Sequence, residues 1–135
     1  MRKNRKYSNR HLLKDMIDFF DRKYCFDSLV IFMGGKAYMN EDTLRWWGDG
    51  CYEDVAVWAD ELNCYCIPNQ DPSYYVQYVG DVATLIFDGS DFYDYMNYGD
   101  EIDNWRTYEQ WNELLNKHNC FGELGYGWSM GIYRD

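Results

Sequence analysis

From Trp46 to Trp105 the chain contains neither lysine nor arginine. Without the Lys and Arg that dominate phosphate binding, this acidic face is not expected to bind DNA directly. Proline is scarce at 2 residues, which excludes a polyproline linker and argues against a disordered tail. With 2 histidines, His11 and His118, there is little room for imidazole-based acid–base chemistry. Nowhere do about 18 apolar residues run together, so no membrane-spanning helix is predicted. The basic start, MRKNRKYSNRHLL, leads into Asp15, Asp18 and Asp21 instead of an apolar stretch, and so does not read as a secretion signal. The 5 cysteines, Cys25, Cys51, Cys64, Cys66 and Cys120, are an odd number in a domain large enough to fold without covalent staples. Reduced thiols in a cytoplasmic protein are therefore expected.

What the chain has in excess is aromatic: 14 Tyr, 7 Phe and 6 Trp among 135 residues. A chain of this length makes one domain and buries about 68% of the surface it exposes when unfolded. One core of that size cannot hold every ring, so several are expected at the surface, where aromatics serve recognition.

The net charge of −10 is unevenly distributed. Residues 1–45 carry ten basic and six acidic groups, and the first 14 hold six basic groups and no acid. Residues 46–105 carry 13 acids unopposed, and residues 106–135 carry three basic and four acidic groups. A solvated acidic face, or adaptation to a salty cytoplasm, would spread acid over the whole surface. Segregation instead points to a charged partner, because unopposed like charges weaken the fold that carries them.

Hydrophobic spacing predicts the elements. Ser8 or Asn9 is placed to cap a helix with Leu12, Leu13, Met16, Ile17, Phe20 and Tyr24 on one stripe, leaving residues 1–8 as a basic arm. Two short apolar runs around Gly34-Gly35 read as a tight hairpin, and the phosphate-loop alternative lacks the rest of its pattern. Asn40 caps a short turn of helix. Val55, Trp58, Ala59 and Leu62 have helical spacing, predicting a helix over about 52–62 with a strand as the fallback. NCYCI, YYVQYV and VATLIF read as strands of an antiparallel meander. Ser90 caps a short helix, Thr107-Tyr108-Glu109-Gln110 matches a capping box opening a longer one that ends at Asn119, and YGWSMGIYR reads as a closing strand. The expected architecture is a single α+β domain, 1–135, with a mostly antiparallel sheet of about five to six strands and helices packed on one face.

Candidate chemistry is sparse. Cys120 lies two residues from His118, too near in sequence for the two to face each other as nucleophile and base. Cys64, Cys66, His118 and Cys120 have the wrong spacing for the common zinc sites, and core-facing thiols are the simpler reading. Asp88, Asp91 and Asp94 recur every third residue, but the sixth position of a calcium loop would be Tyr93 and the twelfth Gly99, which departs from that motif. Carboxylates beside Trp and Tyr suggest sugar chemistry, yet no pair with separated pKa values can be picked out. Neither cofactor nor metal is expected.

The stretch Phe87 to Trp105, FDGSDFYDYMNYGDEIDNW, packs six carboxylates and six rings into 19 residues. If residues 90–97 are helical, Asp91 and Asp94 stand about 5–6 Å apart, with Asp88 before them and Asp100, Glu101 and Asp103 extending the row. Duplex DNA carries a phosphate every roughly 3.4 Å of axis on each strand, so the row approximates its charge density. Tyr93, Tyr95 and Tyr98, with Phe92, are expected beside the acids as the anchors that slow dissociation. In size and charge layout the chain resembles the small acidic phage-encoded proteins that block restriction or CRISPR nucleases by mimicking DNA. That resemblance implies a non-enzymatic inhibitor seated in the basic channel of a nuclease or another DNA- or RNA-binding protein. Asp88, Asp91, Tyr93, Asp94, Tyr95, Tyr98, Asp100, Glu101 and Asp103 are its candidate partner-binding residues. Arg2, Lys3, Arg5, Lys6, Arg10 and Lys14 offer a second, basic contact to nucleic acid, to a partner or to the acidic block itself. The competing readings are a small enzyme or ligand-binding domain with an aromatic and carboxylate pocket, and an acidic assembly protein.

Overall fold

The computed structural model describes residues 2–135, with side chains from Asn9 onward. Helix α1 spans Arg2–Arg22 and buries Leu12, Leu13, Met16, Ile17, Phe19 and Phe20 along one face. It is already under way at the expected cap, and the Asn9 side-chain oxygen instead accepts from the Arg134 guanidinium. Tyr24, expected on the apolar stripe, lies past the helix end with φ 55 and is 90% exposed, because the chain reverses there to bury Cys25 and Phe26. The side chains of Arg2, Lys3, Arg5 and Lys6 lie outside the described residues.

Seven strands make one sheet in which every pairing is antiparallel. They are β1 (Val30–Met33), β2 (Lys36–Met39), β3 (Val57–Ala59), β4 (Cys64–Ile67), β5 (Ala83–Ile86), β6 (Cys120–Leu124) and β7 (Ser129–Arg134), in the order β3-β4-β2-β1-β5-β7-β6. Three further helices are α2 (Glu41–Trp46), α3 (Phe92–Asn97) and α4 (Ile102–Lys117). The expected α+β domain is what forms. Gly34 and Gly35, with φ 61 and 78, close the β1–β2 hairpin as a two-residue turn that only positive φ at both positions permits.

Alternation along the strands divides the core into two layers. Ile31, Leu85, Cys64, Met130 and Ile132 face α1, α3 and α4, and this larger layer centres on a ring cluster of Phe19, Phe20, Phe92 and Trp111. Val30, Phe32, Ala37, Met39 and Ile67 face the other way, against Leu44 of α2, Trp47 and Val76. With both faces covered, the central strands read as continuous apolar runs.

Several elements differ from the sequence expectation. Residues 52–62 are not an α-helix, and the fallback strand forms over part of them: turns lead into β3, which pairs with β4 through Val57 with Cys66, Trp58 with Tyr65 and Ala59 with Cys64, and a 3-10 turn follows over Asp60–Leu62. The open backbone edge of β4 outweighs a helical spacing whose Val55 and Trp58 end up 51% and 45% exposed. YYVQYV is not a strand either, because Asp71 caps a 3-10 turn over Pro72–Tyr74 by accepting from the Ser73 amide at 2.9 Å. The meander therefore gives way to a sheet in which β5 pairs with β1. Helix α4 starts at Ile102, and Thr107 is buried within it, so the capping-box match is coincidental. Strand β6 went unread, since Gly122 and Glu123 break its apolar alternation.

Candidate functional site

Helix α3 and the start of α4 set the acidic stretch in space. Ser90 Oγ accepts from the Phe92 amide at 3.1 Å and donates to the Cys25 carbonyl at 2.6 Å, which caps α3 as the sequence predicts and ties it to the end of α1. Asn97 Nδ2 donates to the Tyr93 carbonyl at 2.9 Å and to the Gly127 carbonyl at 2.7 Å, fixing α3 to the β6–β7 hairpin. Asn104 Nδ2 donates to the Tyr98 carbonyl at 3.0 Å, bracing the link from α3 to α4.

All 13 acids of residues 46–105 are exposed. Among the described residues, only Glu61, against Arg10, and Asp103, 4.0 Å from Arg106, have cationic partners. The row is not carried by one helix. Asp91 and Asp94 stand at the start of α3, while Asp100, Glu101 and Asp103 stand at the start of α4, where the backbone dipole favours anions. Helices α3 and α4 pack on each other, and burial first, then the nearby Cys25, Asp91, Asp103 and Asp94, push the Tyr95 hydroxyl above its ordinary value. Five other acids of the block lie away from this group. Asp49, Glu53, Asp54, Asp60 and Glu61 flank β3 at one edge of the sheet, whereas α4 packs against β6 at the other.

The rings divide as well. Phe92, expected beside the acids, is fully buried in the core and unavailable as an anchor. Tyr93 and Tyr95 are half-buried against that core, and Tyr98 is 50% exposed with its ring 6.1 Å from that of Tyr93. The sequence reading missed Trp105 and Tyr108, whose rings stack at 5.7 Å on consecutive turns of α4. Their spacing of three residues in a helix was the available signal. Together with Tyr95, Met96, Gly99, Asn112, Gly122, Leu124 and Met130 they line a cleft of about 350 Å³ between α3, α4 and the β6–β7 hairpin.

The soft-ligand candidates do not converge. Cys64 and Cys66 share a face of β4, Cys120 begins β6, and His118 Nε2 lies 2.7 Å from Asp15 Oδ2. Burial pushes the Cys25 and Cys64 thiols up to about 12, which keeps them protonated and poor as nucleophiles. Arg10 is placed against Glu61, so one cation of α1 meets the acidic block within the chain, and Lys14 pairs with Asp18 on its own helix at 2.9 Å. No described helix is long and apolar enough to cross a membrane.

Comparison with protein-family models, with curated protein sequences and with solved structures finds no match to this chain.

Proposed function

We propose that the protein is a non-enzymatic acidic binder that presents the Asp88–Asp103 face to the basic nucleic-acid channel of another protein, as a DNA mimic does. One observation carries the reading: 13 carboxylates stand exposed in residues 46–105 and, among the described residues, only two of them have a cationic partner. A fold tolerates such unopposed charge more readily when a partner neutralises it. The docking group is the set gathered at the starts of α3 and α4, namely Asp91, Asp94, Asp100, Glu101 and Asp103, with Asp88 in the preceding loop. Tyr93, Tyr95 and Tyr98 supply apolar area next to it. The acids beside β3 lie at the opposite sheet edge and are left to a second contact or to solvent.

A partner in this reading is a nuclease or other enzyme with a Lys- and Arg-lined groove. Its complex weakens steeply between about 50 mM and about 200 mM salt, as charge-driven docking does. The deciding experiment is affinity capture with the whole chain as bait at both salt concentrations, repeated with Asp91, Asp94, Asp100 and Asp103 changed to Asn. A basic nucleic-acid-binding protein that is held only at low salt, and is lost from the Asn variant, supports the reading. Capture that is indifferent to salt and to the four substitutions overturns it.

A further inference from the structure

The cleft between α3 and α4 unites an aromatic lining with flanking carboxylates. Its wall is aromatic, lined by Trp105 and Tyr108 of α4, stacked on each other, by Tyr95 of α3, and by Met96, Leu124 and Met130. Its surroundings are anionic: Asp94 precedes Tyr95 in α3, Asp100 and Glu101 directly follow the cleft-lining Gly99, and Asp103 lies in the first turn of α4 two residues before Trp105. Among the described residues, no lysine or arginine lines it. Arg106, the cation next to Trp105 in sequence, stands 4.0 Å from Asp103 with its side chain 68% exposed.

An electron-rich ring face inside a negative field selects against anions, and against neutral apolar groups it gives no more than contact area. For a flat, weakly hydrated cation it gives stacking and charge at once. Guanidinium meets that description better than ammonium, because it is planar, stays protonated and stacks on aromatic faces. The volume of about 350 Å³ is at the small end of ligand sites and suits one side chain. Trp105 is 44% exposed, so a ring face is available without rearrangement of the core.

We propose that this cleft is a guanidinium site, which takes the side chain of an arginine on the basic partner and holds it against Trp105 and Tyr108 within the field of Asp94 and Asp103. The inference deepens the docking reading and rests on it for the source of the arginine. The acids bring the partner in, and the cleft fixes its register by seating one residue.

The test needs no partner. The whole chain, labelled with nitrogen-15, is titrated with N-acetyl-L-arginine amide and separately with N-acetyl-L-citrulline amide, which keeps the shape and loses the charge. The Trp105 indole signal is assigned from a Trp105→Phe variant. The expected result is a saturable shift of the Trp105 indole by the arginine compound and a much smaller one by citrulline. Trp105→Ala should weaken arginine binding, read at the backbone amides of Tyr95 and Asn112, by about two- to fivefold. Asp94→Asn with Asp103→Asn should weaken it further. Equal shifts with both compounds, or shifts that never saturate and spread over every acidic loop, overturn the proposal. A guanidinium that binds here while capture proves insensitive to salt sinks the docking reading alone, and a silent cleft beside salt-sensitive capture sinks the cleft alone.

Discussion

His118 Nε2 and Asp15 Oδ2 stand 2.7 Å apart although 103 residues separate them in the chain. The pair joins the end of α4 to the middle of α1, the two long helices that cover the larger core, and His118 is only 10% exposed there. Removing the carboxylate leaves a largely buried imidazole without that partner. Asp15→Ala should therefore cost about 1–2 kcal/mol in urea unfolding, and Asp15→Asn, which keeps an oxygen acceptor, should cost less. Equal midpoints for wild type and Asp15→Ala would show that the contact contributes nothing.

Gly80 has no room for a side chain. A Cβ there would stand 2.6 Å from the Ile132 carbonyl oxygen and nearer still to the Ile132 nitrogen and the Ala83 carbonyl oxygen. All three are backbone atoms at the β5–β7 pairing, and backbone yields less readily than a flexible side chain. Gly80→Ala is expected to destabilise by about 1–3 kcal/mol. Thermal melting checks it, and an unchanged transition would mean the strands can part there at no cost.

The thiols should separate by exposure. Cys51 is exposed, whereas Cys25, Cys64 and Cys120 are buried. At pH 8 an alkylating reagent should modify Cys51 rapidly. Cys25, Cys64 and Cys120 should react only on the timescale of unfolding, as read by mass spectrometry of digested samples. Fast labelling of Cys25 in the folded protein would contradict its burial.

Stability should fall in alkali. Burial raises the folded thiols of Cys25 and Cys64 from 9.0 to about 12, and burial likewise raises the hydroxyls of Tyr38 and Tyr75 from 10.0 to about 12. The folded state thus holds these protons more tightly than the unfolded state. The resulting stabilisation is complete below about pH 9 and is lost as the pH rises toward 12. Melting temperature measured from pH 8 to 12 should decline through this window, and a Cys25→Ala, Cys64→Ala variant should decline less steeply from its own starting value. A flat profile would mean that the unfolded thiols and phenols ionise no more readily than the folded ones.

The acids should differ in what their reversal does to the fold. Like-charge repulsion alone predicts that replacing Asp91, Asp94, Asp100 and Asp103 leaves stability unchanged or higher. The position of Asp100, Glu101 and Asp103 at the start of the 16-residue α4 adds an opposing effect, since cations there meet the positive end of the helix. Asn at these positions should be near neutral in denaturant titration. Lys at Asp103 should cost about 0.3–1 kcal/mol, whereas Asp88→Lys, in a loop, should cost nothing measurable. If Asp103→Lys stabilises, repulsion outweighs the dipole at this site.

Charge and local chemistry were legible in the residues themselves. The absence of Lys and Arg from residues 46–105 fixes an acidic surface whatever the fold, because 13 carboxylates with no cation in their own segment cannot all be buried. Asn40 and Ser90 as caps, and the Gly34-Gly35 turn, depend on neighbours within a few positions and so were readable. The α1 stripe from Leu12 to Phe20 was readable for the same reason. What depended on remote chain was not. Whether 52–62 became helix or edge strand was decided by the free backbone edge of β4, and whether Phe92 met solvent was decided by Phe20, Phe87 and Trp111 closing around it. The tertiary structure also parted the acids beside β3 from those at the starts of α3 and α4 and brought Trp105, Tyr108 and Tyr95 into one cleft, where sequence spacing had suggested a single row. Sequence sets the sign of the charge and the positions of the caps because these are properties of single residues and their neighbours. Only the packing of α3 and α4 on the sheet decides which charges and rings share one surface, because that is a property of distant elements brought together.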